Sequence, residues 1–475
     1  MRGPKGRHPA GPGGEPSAQL TPAGFLSTLS ALGVDLKAPL AVAVSGGPDS
    51  AALLYVACAS RGEGGPPVHA ITVDHGLRAA ASSEAQLVAA WCQDLHVPHT
   101  VLRWEGEPQG NLQAAARQAR YGLMARWCRD EGVSTLLTAH HLNDQAETVL
   151  QRLARGSGVD GLAGMAPVRW LSSPEEGPPV RLVRPFLDVP KTHLIALADR
   201  EGLAWAEDPS NRDAQFERAR LRAAAPLLDG LGLTPERVAG TADWMGLAVP
   251  VLEAAADRLA QGALHQAPFG SLSLNRAVFR DNLEETRLRV LARVLCALSG
   301  RAYRPRLRAL AMLDRALCER GEFVGATLGG CRFVGDGAPE TVRIVRELRA
   351  CREANPPSPA PSRPILWDGR WMVRPLGGFR RSLSLRPLGP DGLEALRSTA
   401  SDDAAPLRAL REALAGRRLD ALAAQTLPSV WDGDRLVDIA SADAGRQTTR
   451  AALVSASLHA SFFAIWGPAT RCARE

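Results

Sequence analysis

The chain has 475 residues, enough for roughly two to four domains with cores of their own, and its apolar and charged fractions are those of a globular protein. Basic side chains outnumber acidic ones by six, and Lys5, Lys37 and Lys191 are the only lysines; arginine suits bidentate phosphate contacts and a polyanion partner, although a high-GC genome would also enrich arginine throughout. The eight cysteines form no CxxC pair and no histidine cluster stands at zinc spacing, which argues against a zinc or iron–sulfur centre and for a reducing cytoplasm. No apolar run approaches the ~18 residues that cross a bilayer, so no membrane association is expected.

Residues 1–22 are rich in Gly and Pro and read as a disordered tail. From about residue 38 to 205 the pattern alternates. Strands are expected at 40–45, 68–74, 99–103, 134–139 and 181–186. Helices are expected at 49–60, 83–95, 112–131, 143–154 and 191–201, with Asn143 or Asp144 capping the fourth. Such alternation predicts an α/β fold with a doubly wound parallel sheet. Ligands of such sheets bind at the carboxyl ends of the strands, near the switch point. Ser45, Asp74 and His140 all fall at strand ends.

Beyond residue 228 the alternation stops. Residues 235–258 and 280–318 look helical, 351–364 is a linker with a Pro-rich run, and 365–475 mixes short strand-like segments with one helical stretch. The expected division is a catalytic domain over 23–228, a helical middle domain over 229–350 and a small α+β C-terminal module over 365–475.

The most informative segment is Ser45-Gly46-Gly47-Pro48-Asp49-Ser50, between an apolar strand and a helix. The glycines let the backbone turn tightly, and the helix start offers unpaired N–H groups and a positive dipole end to an anion. The chain has no GxxxxGK[ST], so this is not a Walker A loop. Without a loop lysine it suits a pyrophosphate leaving group. Asp49 would repel a bare anion and makes sense as a ligand of Mg²⁺, a hard ion that bridges phosphates. The plain alternative is an ordinary strand–turn–helix.

Four further segments bear polar side chains near strand ends. Asp74-His75-Gly76-Leu77-Arg78 is either a turn or a nucleotide-site edge. Arg117, Arg120 and Tyr121 share a helix face, which is either solvated or phosphate-binding. In His140-His141-Leu142-Asn143-Asp144-Gln145-Ala146-Glu147, both carboxylates lie on one face of a first helical turn. They either complement the helix dipole or hold a cation, a metal or a substrate ammonium; the histidines read as hydrogen-bonded structural residues before metal ligands. Asp208-Pro209-Ser210-Asn211 is a turn, followed by Arg218, Arg220 and Arg222, which are either solvated or set against RNA or ATP phosphates.

Together, from about Leu40 to Arg222, these segments resemble the N-type ATP pyrophosphatases, or PP-loop proteins, and within them the tRNA(Ile)-lysidine synthetase family. The anion cup is common to that wide superfamily; the His-His-x-x-Asp-Gln-x-Glu segment and the Arg-x-Arg-x-Arg segment are more specific. The sequence departs at Asn143, where many relatives carry Asp, and at Ala219, where Asn is frequent. The resemblance implies a Rossmann-like sheet of the adenine nucleotide alpha hydrolase type and a tRNA-binding role for 229–350. It implies ATP and Mg²⁺ as substrate and cofactor, with L-lysine and a tRNA(Ile) bearing a CAU anticodon as partners, in a cytoplasmic protein for which a homodimer is one admissible assembly. ATP would meet Ser45, Gly46, Gly47, Pro48, Asp49, Ser50, Asp74 and Arg117. Lysine would meet Asp144 and Glu147, and tRNA would meet Arg120, Arg220 and Arg222. Asp49, Asp144, Glu147 and Arg218 would be catalytic. The product would be lysidine at the wobble cytidine, changing decoding from AUG to AUA. The nearest alternative is another PP-loop tRNA-modifying enzyme such as a tRNA thiolase, disfavoured because such enzymes typically use cysteine pairs.

Overall fold

The structure, a computed structural model, describes residues 18–74, 80–104, 112–171, 178–205, 217–301, 304–359, 361–375, 382–398, 405–415, 418–439, 454–458, 462 and 465. It divides into two units, Met1–Val249 and Pro250–Glu475, with the boundary inside one long helix, Pro235–Ala263.

In the first unit a six-stranded sheet is built from β1 (Leu40–Ala43), β2 (Val68–Asp74), β3 (His99–Arg103), β4 (Thr135–Leu137), β5 (Val168–Leu171) and β6 (Val180–Val183). The spatial order is β3-β2-β1-β4-β6-β5. All neighbours run parallel except β5, which pairs antiparallel to β6 at the edge. The chain winds outward from β1 through β2 to β3, then returns to the other side of β1 at β4. The switch point therefore lies between β1 and β4. The expected parallel sheet is present; the edge strand β5 is an addition that its mixed, exposed residues (Arg169, Trp170) concealed.

The helices are α1 (Pro22–Ala31), α2 (Pro48–Ala59), α3 (Ala80–Asp94), α4 (Leu112–Asp130), α5 (Leu142–Ala154), α6 (Val159–Leu162), α7 (Lys191–Arg200), α8 (Glu217–Gly230) and α9 (Pro235–Ala263). Side chains of β1 alternate between two cores, as the strand period requires. Leu40 and Val42 pack with Phe25, Leu53, Val88 and Leu194, while Ala41 packs with Ile71, Tyr121, Met124 and Leu182. Both faces are thus covered, which is why the strands read as near-continuous apolar runs. Within the tail expected over 1–22, Ala18–Leu20 forms a turn, α1 begins at Pro22, and the buried Gln19 donates to Asp188 Oδ2 at 2.8 Å; residues 1–17 lie outside the described residues.

The second unit is antiparallel. Strands Leu264–Ala267, Ser271–Asn275, Thr341–Arg346, Cys331–Gly335 and Ala326–Leu328 form a five-stranded sheet in that spatial order, with helix Glu284–Ser299 against it. Residues 229–350 are expected as a helical domain with helical segments at 235–258 and 280–318; helices stand there, but so do the strands of this sheet, which are short and which no α/β alternation signals. Two smaller sheets of four and three strands follow. Part of the expected linker is structured, as helix Leu348–Ala354 and strand Ser358–Pro359. The polar interior of this unit is an ion cluster. Asp368, fully buried at φ +50°, accepts from Arg346 at 3.0 Å and from Arg370 at 2.7 Å, while its own N–H donates to Asn355 Oδ1 at 3.0 Å.

Candidate active site

The turn after β1 has the geometry the sequence predicts. Gly46 sits at φ +84°, a conformation that glycine adopts without steric cost, and Gly47 is the N-cap of α2 with Pro48 at its first position. Ser50 fixes the turn: its hydroxyl donates to Gly47 O at 2.9 Å and accepts from the Ser45 N–H at 3.1 Å. The Ser45 hydroxyl lies 3.3 Å from that of Ser50, and Ser45 itself is exposed. The result is a preformed cup at a helix start with hydroxyl and N–H donors around it.

Asp49, on the first turn of α2, points towards the switch point. Its Oδ2 lies 3.5 Å from His141 Nε2 and 3.8 Å from Lys191 Nζ. Its Oδ1 is buried without a hydrogen-bond partner among the described residues. His141 is the N-cap of α5, a place for which the sequence favours Asn143 or Asp144. His141 Nδ1 accepts from the Asp144 N–H at 3.3 Å, and Asp144 Oδ2 accepts from the His141 N–H at 3.4 Å, closing a capping box. An imidazole in place of Ser or Thr leaves Nε2 available beyond the cap, 3.5 Å from Asp144 Oδ2 as well as from Asp49. Asn143 instead holds the start of α7, where its Oδ1 accepts from the Lys191 N–H at 3.0 Å.

Asp144 and Glu147 lie on one face of α5, as their spacing predicts, and both meet Arg222 of α8. Arg222 Nε donates to Glu147 Oε1 at 2.6 Å and Nη2 to Oε2 at 3.2 Å, with Asp144 Oδ1 3.8 Å away. Burial disfavours the Arg222 charge; its hydrogen bonds to Glu147, with the charges of Glu147, Asp144 and Asp49, more than restore it. Arg218 Nε lies 3.9 Å from Glu147 Oε2. Arg220 points to the exposed side of α8. Of the three arginines read as a possible RNA track, two therefore face the carboxylates. The loop after α5 is anchored from the same helix: Gln145 exchanges two hydrogen bonds with the Met165 backbone (2.7 and 3.0 Å), and Arg152 donates to Gly161 O and Gly164 O. At Gly164 (φ +66°) a Cβ would lie 2.7 Å from the Gln145 amide, so any other residue there would be strained and would displace that side chain from Met165.

Behind the carboxylates, His140 Nδ1 is 2.9 Å from Thr138 Oγ1. Burial pushes the His140 imidazole down to about 3, against the pull of Asp144 and helped by Arg184, Arg117 and Arg120. It is neutral at physiological pH. Both histidines are held by hydrogen bonds, and among the described residues no group of three or more His, Cys, Asp or Glu is gathered as a metal cage. Asp74 is half-buried at the carboxyl end of β2, and Arg117 is exposed on α4. His75 to Arg78 and Asp208 to Asn211 lie outside the described residues. Lys191 escaped the sequence reading. Its signal was there to use: one of three lysines in an arginine-rich chain, at the start of a helix that follows a parallel strand.

A phosphate cup and a carboxylate pair, joined by a buried histidine at the switch point of a parallel sheet, define a PP-loop nucleotide site. Consistent with that, residues 27–227 match the PP-loop domain family ATP_bind_3. The chain is 38% identical over 401 residues to a tRNA(Ile)-lysidine synthase of Ruegeria pomeroyi, covering 84% of this chain and 87% of that one. A second, of Methylobacterium sp., is 45% identical over 299 residues, covering 61% and 84%. The chain belongs to the tRNA(Ile)-lysidine synthase family, whose members are ATP-using ligases. Among solved structures it is similar to the U34-tRNA thiolase NcsA of Methanococcus maripaludis, with 17% identity, a TM-score of 0.40 and coverage of 48% of this chain and 80% of that one. Each described cysteine is free, and no helix among the described residues is long and apolar enough to cross a membrane.

Proposed function

We propose that this protein joins L-lysine to C2 of the wobble cytidine of a tRNA(Ile) with a CAU anticodon, consuming ATP. The observation that carries this reading is the contact chain Asp49–His141–Asp144, with 3.5 Å at each step, which makes the phosphate cup and the carboxylate pair two walls of one crevice. In a first step the cytidine C2 oxygen attacks the α-phosphorus of ATP and pyrophosphate leaves. The Ser45–Ser50 cup holds the leaving group through N–H and hydroxyl donors, and Lys191, Arg117 and Arg218 offset the charge that develops on phosphate oxygens. Asp49, whose Oδ1 is buried without a hydrogen-bond partner among the described residues, would hold Mg²⁺, which would supply neutralisation of phosphate charge.

In the second step the lysine ε-amine attacks C2, and the C2 oxygen departs on AMP. A free ε-ammonium has a pKa near 10.4, so a proton must be taken before attack. Asp144 and Glu147 are the acceptors at hand. A carboxylate offers about four lone-pair sites, so Glu147 can hold Arg222 and the substrate ammonium together. The second unit and the exposed arginines supply contacts to the rest of the tRNA, since RNA specificity needs more than the reacting base. The test is incubation of the protein with a tRNA(Ile) transcript carrying CAU, α-labelled ATP and labelled lysine. The reading predicts lysine incorporation that requires both ATP and that anticodon; incorporation into unrelated tRNA, or none, would overturn it. A thiolase would instead incorporate sulfur and no lysine.

A further inference from the structure

One cluster beside the site enters the chemical steps only through Arg117 and is otherwise unused. On α4, Arg117 and Arg120 place their guanidinium carbons 5.3 and 5.4 Å from the centroid of the Tyr121 ring. Arg184, directly after β6, is only 3% exposed and donates Nη1 to Ala166 O at 2.6 Å. Among the described residues no carboxylate forms an ion pair with any of the three. Their charges act on one another: Arg117 adds to burial in disfavouring the charge of Arg184. Like charges gathered in a half-buried place are costly unless an anion joins them.

The polar atoms here are also under-used. Tyr121 is 8% exposed and its hydroxyl has no hydrogen-bond partner of good geometry, although Arg120 and Arg184 lie beside it. Arg184 Nε and Arg120 Nε are likewise buried and unpartnered. Burial raises the Tyr121 phenol, and the three guanidiniums more than reverse this, leaving it below its ordinary value. Buried donors without acceptors cost free energy, so their gathering at one spot calls for a ligand that accepts several hydrogen bonds at once. A phosphate does so, and arginine forks match it.

We propose that Arg120, Tyr121 and Arg184 form a second phosphate seat, beside Arg117 and separate from the Ser45–Ser50 cup, that takes a backbone phosphodiester of the RNA substrate. The sheet order separates the two: the cup follows β1, Arg184 follows β6, and β4 lies between them, a span of ~10 Å at the usual strand spacing. His140, Asp144 and Glu147 stand between the two phosphate sites. An RNA strand anchored at the far seat would lay its target base over the carboxylates and towards the cup. The seat rests on the RNA-modifying reading and refines it.

The test uses the full-length protein and an anticodon stem-loop RNA without ATP, with binding followed by fluorescence anisotropy over a salt series. Arg120→Gln, a half-exposed position where folding is safe, is expected to weaken RNA binding about five- to tenfold and to lower the slope of log K against log salt by about one. Tyr121→Phe should weaken RNA binding with the slope unchanged. ATP binding, measured by equilibrium dialysis, should stay within about twofold of wild type in both, since the seat holds an RNA phosphate and none of the phosphates of ATP. An unchanged salt slope in Arg120→Gln would overturn the proposal. So would a loss of ATP binding in place of RNA binding, which would put a nucleotide phosphate in the seat. If wild-type protein transfers lysine while the Arg120→Gln slope stays unchanged, the seat alone is wrong. If no lysine is transferred but the slope falls, the seat stands and the lysine reading is wrong.

Discussion

The two units use the same residue types to opposite ends. In the second unit Asp368 is sealed in the core and saturated, with Arg346, Arg370 and Asn355 all bound to it. In the first unit Asp49 is a quarter exposed, one of its oxygens has no hydrogen-bond partner among the described residues, and its neighbours His141 and Lys191 stand off at 3.5 and 3.8 Å. A charge whose every lone pair is used fixes a fold. A charge held near partners but not consumed by them waits for a ligand. Satisfaction, more than charge, separates the structural Asp368 from the functional Asp49.

The sharpest way to break that distinction is to remove a carboxylate from each unit. Asp49→Ala should depress tRNA-dependent ATP–pyrophosphate exchange about a thousandfold, with the unfolding transition scarcely moved; near-normal exchange would show the cup to be misread. Asp368→Ala should do the reverse. Denaturant titration should show about 3–5 kcal/mol of lost stability from two stranded buried guanidiniums, while ATP binding by the folded fraction stays unchanged. A milder contrast comes from Lys191→Met. Losing one cation beside the phosphates should raise the KM for ATP about tenfold, the worth of a modest charge-assisted contact; steady-state kinetics would reveal it.

A further contrast concerns His140. Its imidazole is neutral in the fold down to about pH 3, whereas an unfolded histidine titrates near 6.5. The unfolded chain therefore binds a proton that the native state refuses. This contribution is fully present above pH ~6.5 and is lost progressively as the pH falls towards 3. His140→Asn should flatten that part of the acid stability profile, read from thermal unfolding at a series of pH values. An unaltered profile would mean that the imidazole is not desolvated.

The first unit was legible because its physics is local and periodic. Apolar β runs, glycine at the turn, and Asp and Glu one helical turn apart announced β1, the cup and the pair Asp144 and Glu147. The α5 cap was not legible, because His141 fills a place usually held by Ser, Thr, Asp or Asn, and only its contact with Asp49 explains the choice. Arg222 was legible as a phosphate-binding candidate but its pairing with Glu147 was not, because the two lie 75 residues apart and no spacing rule encodes that contact. The five-stranded sheet of the second unit was hidden for another reason. Its strands are three to six residues long and are set between helices with clear periodicity, so propensity alone could not separate them from loops.

If the cup and the carboxylate pair perform successive steps in one crevice, removing a carboxylate should stop the second step and spare the first. Single-turnover reactions of Glu147→Gln with the CAU transcript and α-labelled ATP test this most directly. Labelled AMP is then expected to become attached to the RNA, with release of pyrophosphate, while lysine-dependent discharge of that AMP is lost. Discharge by lysine at the wild-type rate, or failure of the RNA to take up AMP at all, would contradict the two-step crevice.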